Sequence, residues 1–168
     1  MAKLTVFYSR AGEKYFAGEY RHLNVGNTEK AAKIVAETAN TDIFKIEQKN
    51  SYSSSYSVCI KQAREDLRNN ARPELVTLPK SIDKYEEIYL GYPNYWRNMP
   101  MAVYTFLESF DWTGKAIHPF CTHEGSGFAD TVKELKRVCK GARIKKGLAI
   151  LGSDIDNAET AIKNWITG

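Results

Sequence analysis

The chain has little that would tie it to a metal, a membrane or a nucleic acid. Cysteine is sparse, at 3 in 168 residues. Cys59, Cys121 and Cys139 are an odd number without zinc-type spacing, which predicts reduced thiols, no metal site and a cytoplasmic setting. No apolar run approaches the roughly 18 residues of a membrane-spanning helix. The opening residues Met1 to Leu4 pass into a strand-like run without the apolar block of a secretion signal. Charge of one sign is not in large excess, since 24 Lys+Arg against 20 Asp+Glu leave +4. With 43% hydrophobic residues, that balance argues against disorder. Also missing are the phosphate loop G-x-x-x-x-G-K-[ST], a G-x-G-x-x-G turn after the first strand, and a G-x-S-x-G elbow around Ser126. Where a phospho-receiver domain needs an aspartate, the third strand ends Gly91-Tyr92-Pro93. These gaps weigh against signalling and hydrolase roles.

What is present reads as one domain over residues 1–168, long enough to bury a sizeable core. The basic excess is concentrated between Lys133 and Lys146, where seven basic residues face Glu134 alone. No aromatic residue interleaves them. They read as a solvated helix face running into an edge strand guarded by lysines, rather than a surface for nucleic acid.

Strand-like apolar runs alternate with segments of helical period. The runs are Leu4–Tyr8, Asp42–Ile46, Ile88–Tyr92, Ala116–Cys121 and Leu148–Leu151. Between and after them, apolar residues recur at helical spacing: Ala31, Ile34, Val35 and Ala39, then Ile60, Ala63 and Leu67. Val103, Phe106, Leu107 and Phe110 form the next set, followed by Phe128, Val132, Leu135 and Cys139, and finally Ile155, Ala158, Ile162 and Trp165. Strands that alternate with helices predict an α/β fold with a parallel, doubly wound sheet. Ligands in such folds sit beyond the carboxyl ends of the strands. The loops after the first, third and fourth strands are therefore the candidates.

The first of these begins Ser9-Arg10-Ala11-Gly12 and reaches a helix only at Gly26-Asn27-Thr28. Hydroxyls beside the unpaired amides of a helix N-terminus suit a phosphate, although G-N-T serves equally as a plain helix cap. Tyr15, Phe16, Tyr20 and Leu23 make Ala11 to Val25 too apolar for a solvated excursion. The stretch is either an ordered flap beside the ligand or a surface decoration. The third-strand loop holds Pro93-Asn94-Tyr95-Trp96, a stacking platform for a planar ring from which at least one aromatic is expected to turn into the core. The fourth-strand loop is Thr122-His123-Glu124-Gly125-Ser126-Gly127. Its glycines let backbone approach a ligand, and His123 is either a proton donor or simply solvated.

Taken together, V-F-Y-S-R-A-G, V-G-N-T, G-Y-P-N-Y-W-R-N-M-P and F-C-T-H-E-G-S-G resemble the flavodoxin family over essentially the whole chain, in a branch with an extended first loop. The resemblance implies a flavodoxin-like α/β fold, a doubly wound five-stranded parallel sheet of order 2-1-3-4-5. It also implies noncovalent FMN. Ser9, Asn27 and Thr28 would hold the phosphate, with Arg10 and Ala11 in the same loop. Pro93, Asn94, Tyr95 and Trp96 would flank the isoalloxazine, and Thr122, His123, Glu124, Gly125 and Gly127 would line its other side.

The activity so implied is low-potential electron transfer with redox partner proteins, a reductase and an acceptor, docking at an exposed flavin edge. The protein would be a monomer or weak dimer without nucleic-acid or membrane partners. The alternative is an NAD(P)H:quinone oxidoreductase, in which His123 would deliver a proton. The lack of a nicotinamide-nucleotide motif favours the carrier. Two features depart from the family: about fifteen residues intervene between Arg10 and Gly26, and the pI is ≈ 8.9 where flavodoxins are typically acidic.

Overall fold

A computed structural model of the chain describes residues 2–16 and 18–168, apart from the side chain of Phe16. The readings placed on Met1 and on the Phe16 side chain lie outside the described residues. In chain order the elements are β1 (Ala2–Tyr8), β2 (Gly12–Phe16), β3 (Glu19–Leu23), α1 (Asn27–Ala39), β4 (Asp42–Ile46), α2 (Tyr56–Arg68) and β5 (Tyr85–Pro93). There follow α3 (Met101–Leu107), β6 (Ala116–His123), α4 (Thr131–Val138), β7 (Arg143–Ile144), β8 (Leu148–Leu151) and α5 (Glu159–Thr167).

The main sheet runs β4-β1-β5-β6, with β7 and β8 both on the outer edge of β6, and every pairing is parallel. β7 pairs Ala116 and Ile117, whereas β8 pairs Phe120 to His123. They share one strand position, so the order is the expected 2-1-3-4-5 with a fifth position broken in two. The break has a local cause. Pro119 of β6 has no N–H to donate to a neighbour, and a Cβ on Gly147 would run into Phe128 and the Pro119 carbonyl. The ladder therefore lapses between Ile144 and Leu148.

Alternation along the central strands builds two cores. Leu4, Val6, Tyr8, Ile88, Leu90, Tyr92, Ile117 and Cys121 point to the face that packs α3 and Leu135 of α4. Phe7, Tyr89, Phe120 and Ile150 point to the other, against Ala31, Ala32, Val35 and Ile162 of α1 and α5. Helices on both faces make β1 and β5 apolar on both sides, which is why their sequences read as nearly continuous hydrophobic runs. Among the described residues, no helix is long and apolar enough to cross a membrane.

The stretch after β1 is not the irregular loop the sequence suggested. β2 and β3 form an antiparallel hairpin registered from Gly12↔Leu23 to Phe16↔Glu19. Gly12 (φ 106) turns the chain off the end of β1, and Tyr15 meets Tyr20 edge-on across the strands at 5.7 Å. The hairpin is docked. The Glu13 amide donates to the Ser54 carbonyl at 2.8 Å, and the Tyr56 amide donates to Glu13 Oε1 at 3.0 Å. The Tyr56 ring packs on both Tyr15 and Tyr20. The segment is thus a hairpin packed on the start of α2.

Candidate functional site

A cavity of about 430 Å³ opens where β1, β5 and β6 end. It gathers Ser9, Arg10, Asn27 and Thr28 from the first loop and α1, Pro93, Asn94, Tyr95 and Trp96 from the loop after β5, and Thr122, His123 and Glu124 from β6 and beyond. Three expected residues are not among those lining it, although Ser126, between Gly125 and Gly127, is. Ala11 borders a second cavity of about 270 Å³ toward β4. Gly125 (φ 139) and Gly127 (φ 60) adopt backbone conformations that favour glycine. Their polar groups serve the loop itself: the Gly125 amide donates to His123 Nδ1 at 2.9 Å, and the Gly127 carbonyl accepts from Asn94 Nδ2 at 2.9 Å. Because Nδ1 accepts that amide, the neutral His123 ring carries its proton on Nε2.

One end of the cavity is built for an anion. α1 begins after Gly26 with no side-chain cap at that position. Instead Ser9 Oγ reaches over from the end of β1 and accepts the Glu29 amide at 3.1 Å. The amides of Asn27 and Thr28 have no intrahelical acceptor by position, and the helix dipole adds to their pull on negative charge. Space here is tight, since a Cβ on Gly26 would run into Ser9 Oγ and the Arg10 carbonyl. Thr28 Oγ1 and Thr122 Oγ1 are hydrogen-bonded at 2.7 Å, tying α1 to β6 across the floor. Asn27 Oδ1 is buried without a hydrogen-bond partner. A Cβ on Gly152 would come within 2.7 Å of both Asn27 Nδ2 and Glu124 Oε1, so Gly152 packs closely against these two polar side chains.

Arg10 does not present its charge to this anion end. Nε and Nη2 donate to the Ser53 carbonyl at 3.1 and 2.9 Å, Nη1 to Glu13 at 2.7 Å, and Nη2 to Ser54 at 2.7 Å. The expected ligand is instead a clasp joining the hairpin to the segment before α2.

At the other end the chain makes a tight turn. The Tyr95 amide donates to the Asn98 carbonyl at 2.8 Å and the reverse bond is 3.1 Å, with Trp96 (φ 53) and Arg97 (φ 67) both left-handed between them. That is the geometry of a type I′ turn, which strongly prefers Asn-Gly. Left-handed backbone costs ordinary residues roughly 1–2 kcal/mol each. Partners hold the strain in place. Trp96 Nε1 donates to the Ile60 carbonyl at 2.8 Å, Arg64 lies 5.1 Å from the indole centroid, and Asn94 Oδ1 accepts the Arg97 amide at 2.9 Å. Tyr95 turns inward and packs edge-on against Tyr8 at 6.1 Å, while Trp96 stays 44% exposed. One aromatic thus faces the core, as expected. Backbone strain of this kind clusters at ligand sites. Replacing Trp96 with Asn together with Arg97 with Gly is expected to stabilise the ligand-free protein by about 1–2 kcal/mol, while weakening ligand binding. Urea unfolding and calorimetric titration check the two halves separately.

The sequence reading missed the third wall. Lys14 and Tyr15 come from the hairpin, and Tyr56, Cys59, Ile60 and Ala63 from one face of α2. The spacing of the α2 residues was legible as an apolar stripe, but its first turn faces the cavity rather than the core. Burial pushes the Cys59 thiol up, which keeps it protonated and a poor nucleophile. Burial, with the Arg10 guanidinium adding to it, lowers the half-buried Lys14 ammonium to about 7. The site therefore offers an anion cradle, buried polar side chains and an aromatic mouth.

Comparison with known proteins agrees with this geometry. Two solved structures share the fold over almost their whole length. One is a provisionally named flavoprotein of Bacteroides uniformis, at 25% identity and TM-score 0.78, covering 99% of this chain and 98% of that one. The other is its counterpart from Bacteroides eggerthii, at 22% identity and TM-score 0.78, covering 99% and 96%. A Lactobacillus acidophilus flavoprotein solved in complex with FMN matches at 18% identity and TM-score 0.64, covering 93% and 97%. No curated protein matches in sequence. The flavodoxin family model matches residues 20–168, nearly the whole chain, and the protein belongs to the flavodoxin family.

Proposed function

We propose that the cavity binds FMN noncovalently and that the protein passes electrons between redox partner proteins. The observation that carries this reading is the convergence, in one cavity, of the Asn27 and Thr28 amides beside Ser9 with the strained Trp96–Arg97 turn that carries Tyr95 and Trp96. The first suits a phosphate dianion and the second a planar ring. The orphaned Asn27 Oδ1 fits a hydroxyl-bearing chain between the two. Ser9, Asn27 and Thr28 would hold the phosphate. Pro93 to Trp96 would flank the ring on one side, with Thr122 and His123 on the other, His123 presenting its Nε2–H. Arg10 also lines the cavity, its guanidinium committed to the hairpin clasp, and Ala11, Gly125 and Gly127 shape the loops around it. FMN, when bound, supplies the one- and two-electron chemistry, and the protein sets its access and electronics.

The carrier is preferred to a quinone reductase because Trp96 stands exposed at the mouth with Arg64 and Arg97 beside it. That rim suits brief docking of an acidic partner and accords with a chain of net charge +4. One domain, cytoplasmic and monomeric or weakly dimeric, belongs to the same proposal.

Protein purified from cells is expected to be yellow and to release FMN on extraction, identified by its mass. Failure to carry or to take up FMN would overturn the assignment. Rapid oxidation of NADH or NADPH with a quinone, without added reductase, would replace the carrier by the enzyme.

A further inference from the structure

The hairpin inserted after β1 brings into the cavity a charge that the flavin reading leaves unused. Lys14, on β2, lines the cavity from the β1 side, whereas Thr122 to Glu124 enter from the β6 side of the sheet. The charged and titratable groups that act on it are the Arg10 guanidinium and the Cys59 thiol, and Cys59 and Tyr95 line the same cavity. No carboxylate pairs with it among the described residues. Glu13, the acid next to it in sequence, is engaged with the Tyr56 amide. Arg10 spends its donors on the carbonyls of Glu13, Ser53 and Ser54. In its protonated form Lys14 is therefore an uncommitted cation in a partly desolvated cavity that Tyr95 also lines. A cation so placed is costly on its own, and a ligand of opposite charge offsets that cost.

Resting on the flavin reading above, we propose that Lys14 favours the reduced, anionic state of the bound flavin ring over the oxidised, neutral one. The balance is simple. The oxidised ring takes two electrons from the donor protein and one proton from water, a new N–H bond forms, and the ring is left with one negative charge. The ammonium keeps its own proton and stabilises that charge electrostatically, as a positive group near the flavin ring does in general. A basic residue delivered by an inserted hairpin would thus set the potential of this protein above that of a copy lacking the charge.

Lys14→Met and Lys14→Arg, each loaded with FMN and with riboflavin, test the idea by potentiometric titration and by binding. Lys14→Met is expected to lose at least tenfold of the preference for reduced over oxidised flavin, a fall of about 30 mV for a two-electron couple. Lys14→Arg, which keeps the cation, should retain most of it, and riboflavin should show the same pattern as FMN. An unchanged potential in flavin-loaded Lys14→Met would overturn the proposal alone. A loss of affinity confined to FMN, again with unchanged potential, would make Lys14 a phosphate ligand and overturn it as well. If the parent protein takes up no flavin, the flavin reading fails and this proposal falls with it.

Discussion

Arg10→Met is expected to undock the β2–β3 hairpin and to cost about 3–5 kcal/mol of stability. The guanidinium is buried and bonds three backbone carbonyls at once, those of Glu13, Ser53 and Ser54. Hydrogen bonds to a charged group contribute about 1.5–3 kcal/mol each, and each carbonyl left dry adds its own penalty. The sum is capped because the segment can open and let water in. Arg10→Lys should rescue little, since a single ammonium cannot span the three acceptors as the planar fork does. Urea denaturation measures the loss. Hydrogen exchange locates it, with protection expected to fall in Gly12–Leu23 and at the start of α2 while β5 is spared. Unchanged exchange in the hairpin would show that the aromatic contacts of Tyr15, Tyr20 and Tyr56 hold it without the clasp.

Gly26→Ala has the second large effect, on the ligand more than on the fold. The backbone at Gly26 has φ −69, which alanine adopts freely, so conformational strain is not the cause. The obstacle is space, because the added Cβ would run into Ser9 Oγ and the carbonyl of Arg10. Part of that obstacle is main chain that cannot rotate away, so α1 and the end of β1 must separate. Forcing one methyl into a packed site costs about 1–3 kcal/mol. The separation also pulls Ser9 off the Glu29 amide and opens the phosphate cradle. FMN affinity is expected to fall by at least a hundredfold, while riboflavin, without a phosphate, loses much less. Parallel titrations of the two flavins decide it. Equal losses would mean that the substitution acts on the fold as a whole and not on the cradle.

The same contrast between local and distant causes explains what could be read before the structure. Asp42–Ile46 appears with the boundaries its sequence suggests, because five residues of strand pattern between a helix and a polar loop leave few alternatives. The loops after β1, β5 and β6 were legible as the site because a parallel sheet puts its strand ends on one edge. The hairpin was not. β3 is largely exposed, and what orders the hairpin is Arg10 bonding to Ser54, 44 residues away. Nor could local pattern show that Trp96 and Arg97 take left-handed backbone. Nothing in Tyr-Trp-Arg-Asn resembles the Asn-Gly that such a turn prefers, and the tether that sustains it reaches Ile60, 36 residues back.

The amino-acid order by itself determined the doubly wound sheet, the two apolar cores and the family, because hydrophobic period and turn residues act over a few positions. Only the tertiary structure decided which donors are free to meet a ligand. It turned Arg10 inward onto carbonyls, left Asn27 Oδ1 unpaired, joined Thr28 to Thr122 across 94 residues, and set Lys14 in the cavity with no carboxylate partner among the described residues. Whether a donor or a charge is already satisfied depends on partners brought together by packing, and those partners lie tens of residues apart along the chain.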